Sequence, residues 1–96
     1  MRHNLKLDEQ WFSAVRDGRK RAEIRRADRP FKVGDELLLY QRDRSRAVLA
    51  QITDILELSD VPGCDCSGFV SLSIDLRGDI DDPDAVEREL RSGSFS

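Results

Sequence analysis

The chain predicts an α+β fold: a small mixed β-barrel with one helix after the first strand and room for a short helix near the C-terminus. Apolar and polar residues alternate over much of residues 4–76, a single stretch at 8–18 has helical spacing instead, and turn residues separate the runs at short intervals. With 96 residues, one core is all the chain can build. Closing the strands into a barrel would remove the exposed edges that endanger so small a sheet.

Leu5 and Leu7 alternate with Asn4 and Lys6, which predicts an opening strand with Lys6 on its polar side. A helix follows: Asp8 is placed to cap it, Glu9 suits its positive N-terminal end, Trp11, Ala14 and Val15 recur at helical spacing beside Phe12, and Gly18 stops it. Trp11 and Phe12 are both expected in the core. From Arg21 to Arg25 the alternation returns, with Ala22 and Ile24 expected inward and Arg21, Glu23 and Arg25 on the opposite face. Asp28-Arg29-Pro30 breaks that strand. Gly34-Asp35 forms a turn, glycine permitting positive φ and Asp35 bonding nearby amides, so the pair shapes the barrel. Glu36 to Tyr40 reads as a buried strand, 41–46 as a charged turn, Ala47 to Leu58 as a long strand, Ser59 to Gly68 as a loop and Phe69 to Leu76 as the last strand.

Beyond Arg77-Gly78 the composition turns acidic, with Asp79, Asp81, Asp82 and Asp84 around Pro83. Residues 1–77 are therefore expected to form the domain, and 78–96 an acidic linker and tail. Asp82-Pro83 can start a short helix through Leu90 with Val86 and Leu90 as its apolar stripe, and Ser92 to Ser96 are expected to fray.

Residues 1–50 hold 13 Lys and Arg against 8 Asp and Glu, whereas residues 51–96 hold 3 against 11, so the net charge of -3 hides a basic half at +5 and an acidic half at -8. A basic face suited to a polyanion follows from this split. No apolar run approaches the ~20 residues of a membrane span, and the N-terminus lacks the apolar centre of a secretory signal, which together predict a cytoplasmic protein with no membrane partner. Cys64 and Cys66 sit in a Pro-Gly-Cys-Asp-Cys-Ser-Gly turn, and with His3 the only histidine, no metal or cofactor is expected.

An ordered set of motifs carries a family resemblance. His3-x-Leu5-Lys6, Trp11-Phe12-x-x-Val15, Gly18-x-Lys20-x-x-Glu23-x-Arg25 and Asp28-Arg29-x-Phe31-x-Val33-Gly34-Asp35 together resemble the ASCH domain family (activating signal cointegrator homology) of the PUA-like superfamily. The likeness runs from about His3 to Ile74 and is nearest to a small stand-alone branch of bacteria and phages whose function is uncharacterised. It implies a pseudobarrel with a cleft beside the helix holding Lys20, Glu23 and Arg25, and it implies recognition of RNA or a modified nucleoside. One ASCH-like branch is an amidohydrolase of N4-acetylcytidine that uses a lysine, a threonine three positions later and a distant glutamate. Lys20 matches the lysine, but Glu23 stands where the threonine nucleophile would be.

Physically, Arg25 can make bidentate bonds to phosphate or stack on a base, Lys20 offers a compact charge, and Glu23, about 7 Å from Arg25 along one strand face, can orient it or accept from a base amino group. Arg29 is a further phosphate contact or a turn arginine bonding backbone carbonyls. Lys6 and Tyr40 join the cleft if their strands flank it, and His3 is expected at the surface. The first functional expectation is a binding module for RNA or a nucleotide-like anionic ligand, with Lys6, Lys20, Glu23, Arg25, Arg29 and Tyr40 as the contacts. The alternatives are a hydrolase of an acylated nucleoside, with Glu23 activating water, Lys20 stabilising the oxyanion and Glu57 as a third acid, and a phage-related modulator that meets a protein partner through its C-terminal tail.

Overall fold

The computed structural model describes residues 1–63 and 67–91. Among these, the elements run β1 (Arg2–Leu7), α1 (Glu9–Arg16), β2 (Ala22–Arg26), β3 (Glu36–Gln41), β4 (Ala47–Glu57), a 3-10 turn (Leu58–Asp60), β5 (Phe69–Ile80) and α2 (Pro83–Arg91). The expectations for Cys64, Cys66 and Ser92 to Ser96 lie outside the described residues.

The strands form one mixed sheet in the order β1-β3-β4-β5-β2, with β1 parallel to β3 and every other pair antiparallel. This is an open, mixed half-barrel. Its ladder stops short of closure, because β1 and β2 end the sheet without pairing with each other. Arginines cross the gap instead: Arg25 Nη2 donates to the Lys6 carbonyl at 2.9 Å and Arg29 Nη1 to the Asn4 carbonyl at 2.9 Å. Each guanidinium satisfies a carbonyl that a sixth strand would otherwise bond.

The apolar run of β3 is buried on both faces, which explains its lack of alternation. Leu37 and Leu39 join Leu5, Leu7, Val48, Ile52 and Leu72 beneath Phe12 and Val15 of α1. Leu38 and Tyr40 face the other way, where Val86 of α2 packs on them and on Ala47. Gly78 to Ile80, expected as linker, are therefore strand, and the short helix expected from Pro83 onward is docked on the sheet. Asp79 and Ile80 pair with Val48 and Ala47, and α2 is tied down by Arg2 bonding the Glu89 carboxylate at 2.7 Å and by Arg44 pairing with Glu87 at 3.2 Å. Acidic residues tolerate this course because their side chains remain on the exposed side while the backbone completes the ladder.

His3 departs from the surface position expected of it, being only 1% exposed. Its Nε2 lies 2.9 Å from Asp35 Oδ2, and its ring meets Phe31 edge-on at 4.7 Å between centroids. Asp35 also accepts from the Lys32 amide at 3.0 Å and from the N-terminal ammonium at 3.4 Å, in a turn that Gly34 permits with φ of 95°. Burial alone would raise the Asp35 pKa, but the bonds from His3, Lys32 and the N-terminus outweigh it and hold the carboxyl below the usual range. A partner inside the fold is what lets a terminal histidine be buried.

Candidate functional site

The strand that carries the basic motif is turned over relative to its expected orientation. Glu23 points inward and is 3% exposed, whereas Ile24 points out and is 60% exposed. Alternation predicted two faces correctly but assigned them by hydrophobicity, and at an edge strand the inner side is a polar seam rather than the centre of the core. Inside that seam Glu23 is satisfied at both oxygens: Lys20 Nζ donates to Oε1, and Arg25 Nε donates to Oε2 at 3.0 Å. A carboxylate this buried needs such partners, since desolvating it alone would be prohibitive.

Lys20 reaches the seam through the end of α1. Gly18 takes φ of 79°, and the amides of Arg19 and Lys20 both donate to the Ala14 carbonyl at 2.9 and 3.0 Å, folding the chain back over the helix. Its ammonium consequently stands 5.8 Å from the centroid of the Trp11 ring. Trp11, expected in the core, is 48% exposed. Phe12 and Val15 fill the helix's buried stripe, and Trp11 falls one residue, or roughly 100°, to the side.

These groups border a hollow of ≈ 450 Å³ between the free edge of β2, β1 and α1. Lys6, Lys20, Arg25 and Arg42 bound it against Asp8 and Glu23, four cations to two carboxylates. Asp8 occupies the cap position of α1 without capping it, and accepts instead from Arg42 Nε at 2.8 Å on the rim. Arg25 commits Nε and Nη2 to the protein, while its Nη1 has no partner among the described residues. The hollow thus offers spare ammonium and guanidinium protons beside an indole face.

Among the six residues expected to bind a ligand, Lys6, Lys20, Glu23 and Arg25 border this hollow. Arg29 lies beyond the end of β2, holding the Asn4 carbonyl as a turn arginine would. Tyr40 does not reach the hollow and is buried under α2, since its strand position places it on the opposite face from Leu39. Glu57, considered as a third acid, is exposed at the end of β4 and does not line the hollow. Trp11, Asp8 and Arg42 were not expected there. A tryptophan next to the buried stripe of a short helix, followed by a glycine stop and a lysine, was the available signal for the first. No set of three or more His, Cys, Asp or Glu side chains gathers among the described residues, nor is any helix there long and apolar enough to cross a membrane.

Solved structures share this architecture. An S128A mutant of ZmASCH from Zymomonas mobilis superposes with a TM-score of 0.62 at 15% identity, covering 99% of this chain and 82% of that one. The hypothetical protein PH0355 gives a TM-score of 0.59 at 16% identity, covering 80% of this chain and 100% of its own. At such identities the likeness is one of fold. In sequence, the chain is 42% identical over 62 residues to an uncharacterised 12.9 kDa protein from the GpA 3′ region of Escherichia phage P2, and spans 57% of that relative's length. The family described as a domain of unknown function, DUF3850, matches residues 2–70, and the chain belongs to it.

Proposed function

We propose that this chain binds single-stranded RNA or a nucleotide-like anion, with one base against Trp11 and its phosphate or carbonyl oxygens held by Lys20 and Arg25. One observation carries the reading: an exposed indole, an ammonium and a guanidinium converge on a single hollow whose buried carboxylate is already neutralised. Its volume lies in the range of small-ligand sites. Base stacking on an aromatic side chain contributes about 1–3 kcal/mol per base, and charged hydrogen bonds about 1.5–3 kcal/mol each. Glu23 serves here to orient both cations, its two oxygens being occupied.

The chain has one tryptophan, so its fluorescence reports on this hollow directly. Titration with 5′-ribonucleotides and short single-stranded RNA is expected to change that signal, with affinity falling as salt rises by a log–log slope of about -0.7 per phosphate contacted. Lys20→Ala and Arg25→Ala are each expected to weaken binding about tenfold or more. Absence of binding at both low and high salt, or full binding by both variants, overturns the proposal. The amidohydrolase alternative is checked in the same preparation: N4-acetylcytidine is expected to persist, and turnover that Lys20→Ala abolishes would replace binding with catalysis as the activity.

A further inference from the structure

A second hollow of ≈ 280 Å³ lies along the same edge of β2 and shares Ile24 and Arg25 with the first. Its own boundary includes Arg26, Arg29, Phe31 and Phe69, with Asp28 as its acid. Three arginines against one carboxylate give it the same sign as the Trp11 hollow. The Arg26 guanidinium lies over the Phe69 ring at 5.5 Å from its centroid while Arg26 itself remains exposed, so a cation already held against an aromatic ring is accessible from solvent.

Between the two hollows runs the unpaired edge of β2. The bonds that end the β2–β5 ladder, Ile74 amide to Arg21 carbonyl at 3.0 Å and Ala27 amide to Gly68 carbonyl at 2.8 Å, place odd-numbered residues of β2 in contact with β5. By the alternation of an antiparallel pair, the amides and carbonyls of Ala22, Ile24 and Arg26 therefore point away from β5, toward the seam. A five-residue strand is about 13 Å long from first to last residue, more than one nucleoside occupies.

Resting on the proposed function, we infer that the seam beside β2 carries two neighbouring subsites for single-stranded RNA, one on either side of the Arg25 bridge, in which the Trp11 hollow takes one base and the Arg26–Phe69 platform takes a neighbouring nucleotide. The ligand is then an oligonucleotide rather than a free nucleotide. Arg26 reads the second position by stacking and by charge, and the strand edge between them offers hydrogen bonds to whatever bridges the two.

The test compares each 5′-ribonucleoside monophosphate with its homotetranucleotide, using Trp11 fluorescence on the full chain. The tetranucleotide is expected to bind at least tenfold tighter. Arg26→Ala is expected to remove that gain while leaving mononucleotide affinity unchanged, Arg26→Lys to recover only part of it, and Arg19→Ala, an exposed arginine off the seam, to keep it. Equal affinity for the two lengths, or a gain that survives Arg26→Ala as well as it survives Arg19→Ala, overturns the second subsite and leaves the Trp11 hollow standing. Failure of both lengths to bind overturns both. An acidic tetrapeptide that displaces the tetranucleotide at equal concentration would show a site for extended anionic peptide and overturn the assignment to RNA.

Discussion

Trp11 and Glu23 exchange the places their chemistry would suggest, the indole standing half in solvent and the carboxylate buried. Both exchanges are local consequences of what surrounds the seam. Glu23 is tolerated inside because Lys20 and Arg25 reach it from both sides, and Trp11 is displaced outward because Phe12 and Val15 already fill the space under α1. An aromatic that stands half in solvent rather than in the packed core can be removed with little damage to the fold. Trp11→Ala is accordingly expected to change unfolding stability by less than about 1 kcal/mol while weakening RNA binding by about 1–3 kcal/mol. Chemical denaturation followed by circular dichroism, beside filter binding, separates the two effects, and a large stability loss would return Trp11 to the core.

At the level of elements, α2 decides how much of the chain the fold needs. It covers Leu38 and Tyr40, and without it the second face of β3 would be exposed apolar surface. Val86→Ala is expected to lower stability by about 2 kcal/mol, the loss of two buried methyl groups and the space they fill, without altering the Trp11 hollow on the other side of the sheet. Urea denaturation and RNA titration of the same variant check both halves of that statement. The β2 strand shows why its own orientation was not legible in sequence. Period-two alternation identifies two faces but cannot say which is inside when the inner face of an edge strand lies on a polar gap. That Arg25 and Arg29 would close the gap through the Lys6 and Asn4 carbonyls depended on β1 ending up opposite β2, a contact between segments 19 and 25 residues apart.

For the molecule as a whole, Asp35 joins the N-terminus, β1 and the turn before β3 through His3, Lys32 and the terminal ammonium. Because its folded carboxyl titrates below the unfolded value of about 3.9, its contribution to stability is full above that value and is lost as pH falls through the lower folded one. Asp35→Asn is expected to lower stability by about 1–3 kcal/mol near neutral pH and to converge on the parent protein in acid, below pH ~4. Parallel stability curves from pH 7 to 2 would remove this role from Asp35. Composition and period alone determined the α+β class, the order of strands and helices and the buried β3, because each is written in spacing along the chain, whereas the grouping of Lys20, Glu23 and Arg25 was implied by the ordered motifs that carry the family resemblance. Only the tertiary structure decided that β2 faces inward with its carboxylate, that Trp11 stands open, that Tyr40 lies under α2 and that His3 is buried, because each depends on what distant segments place against it, and a repeat of two or of 3.6 carries no information about that neighbour.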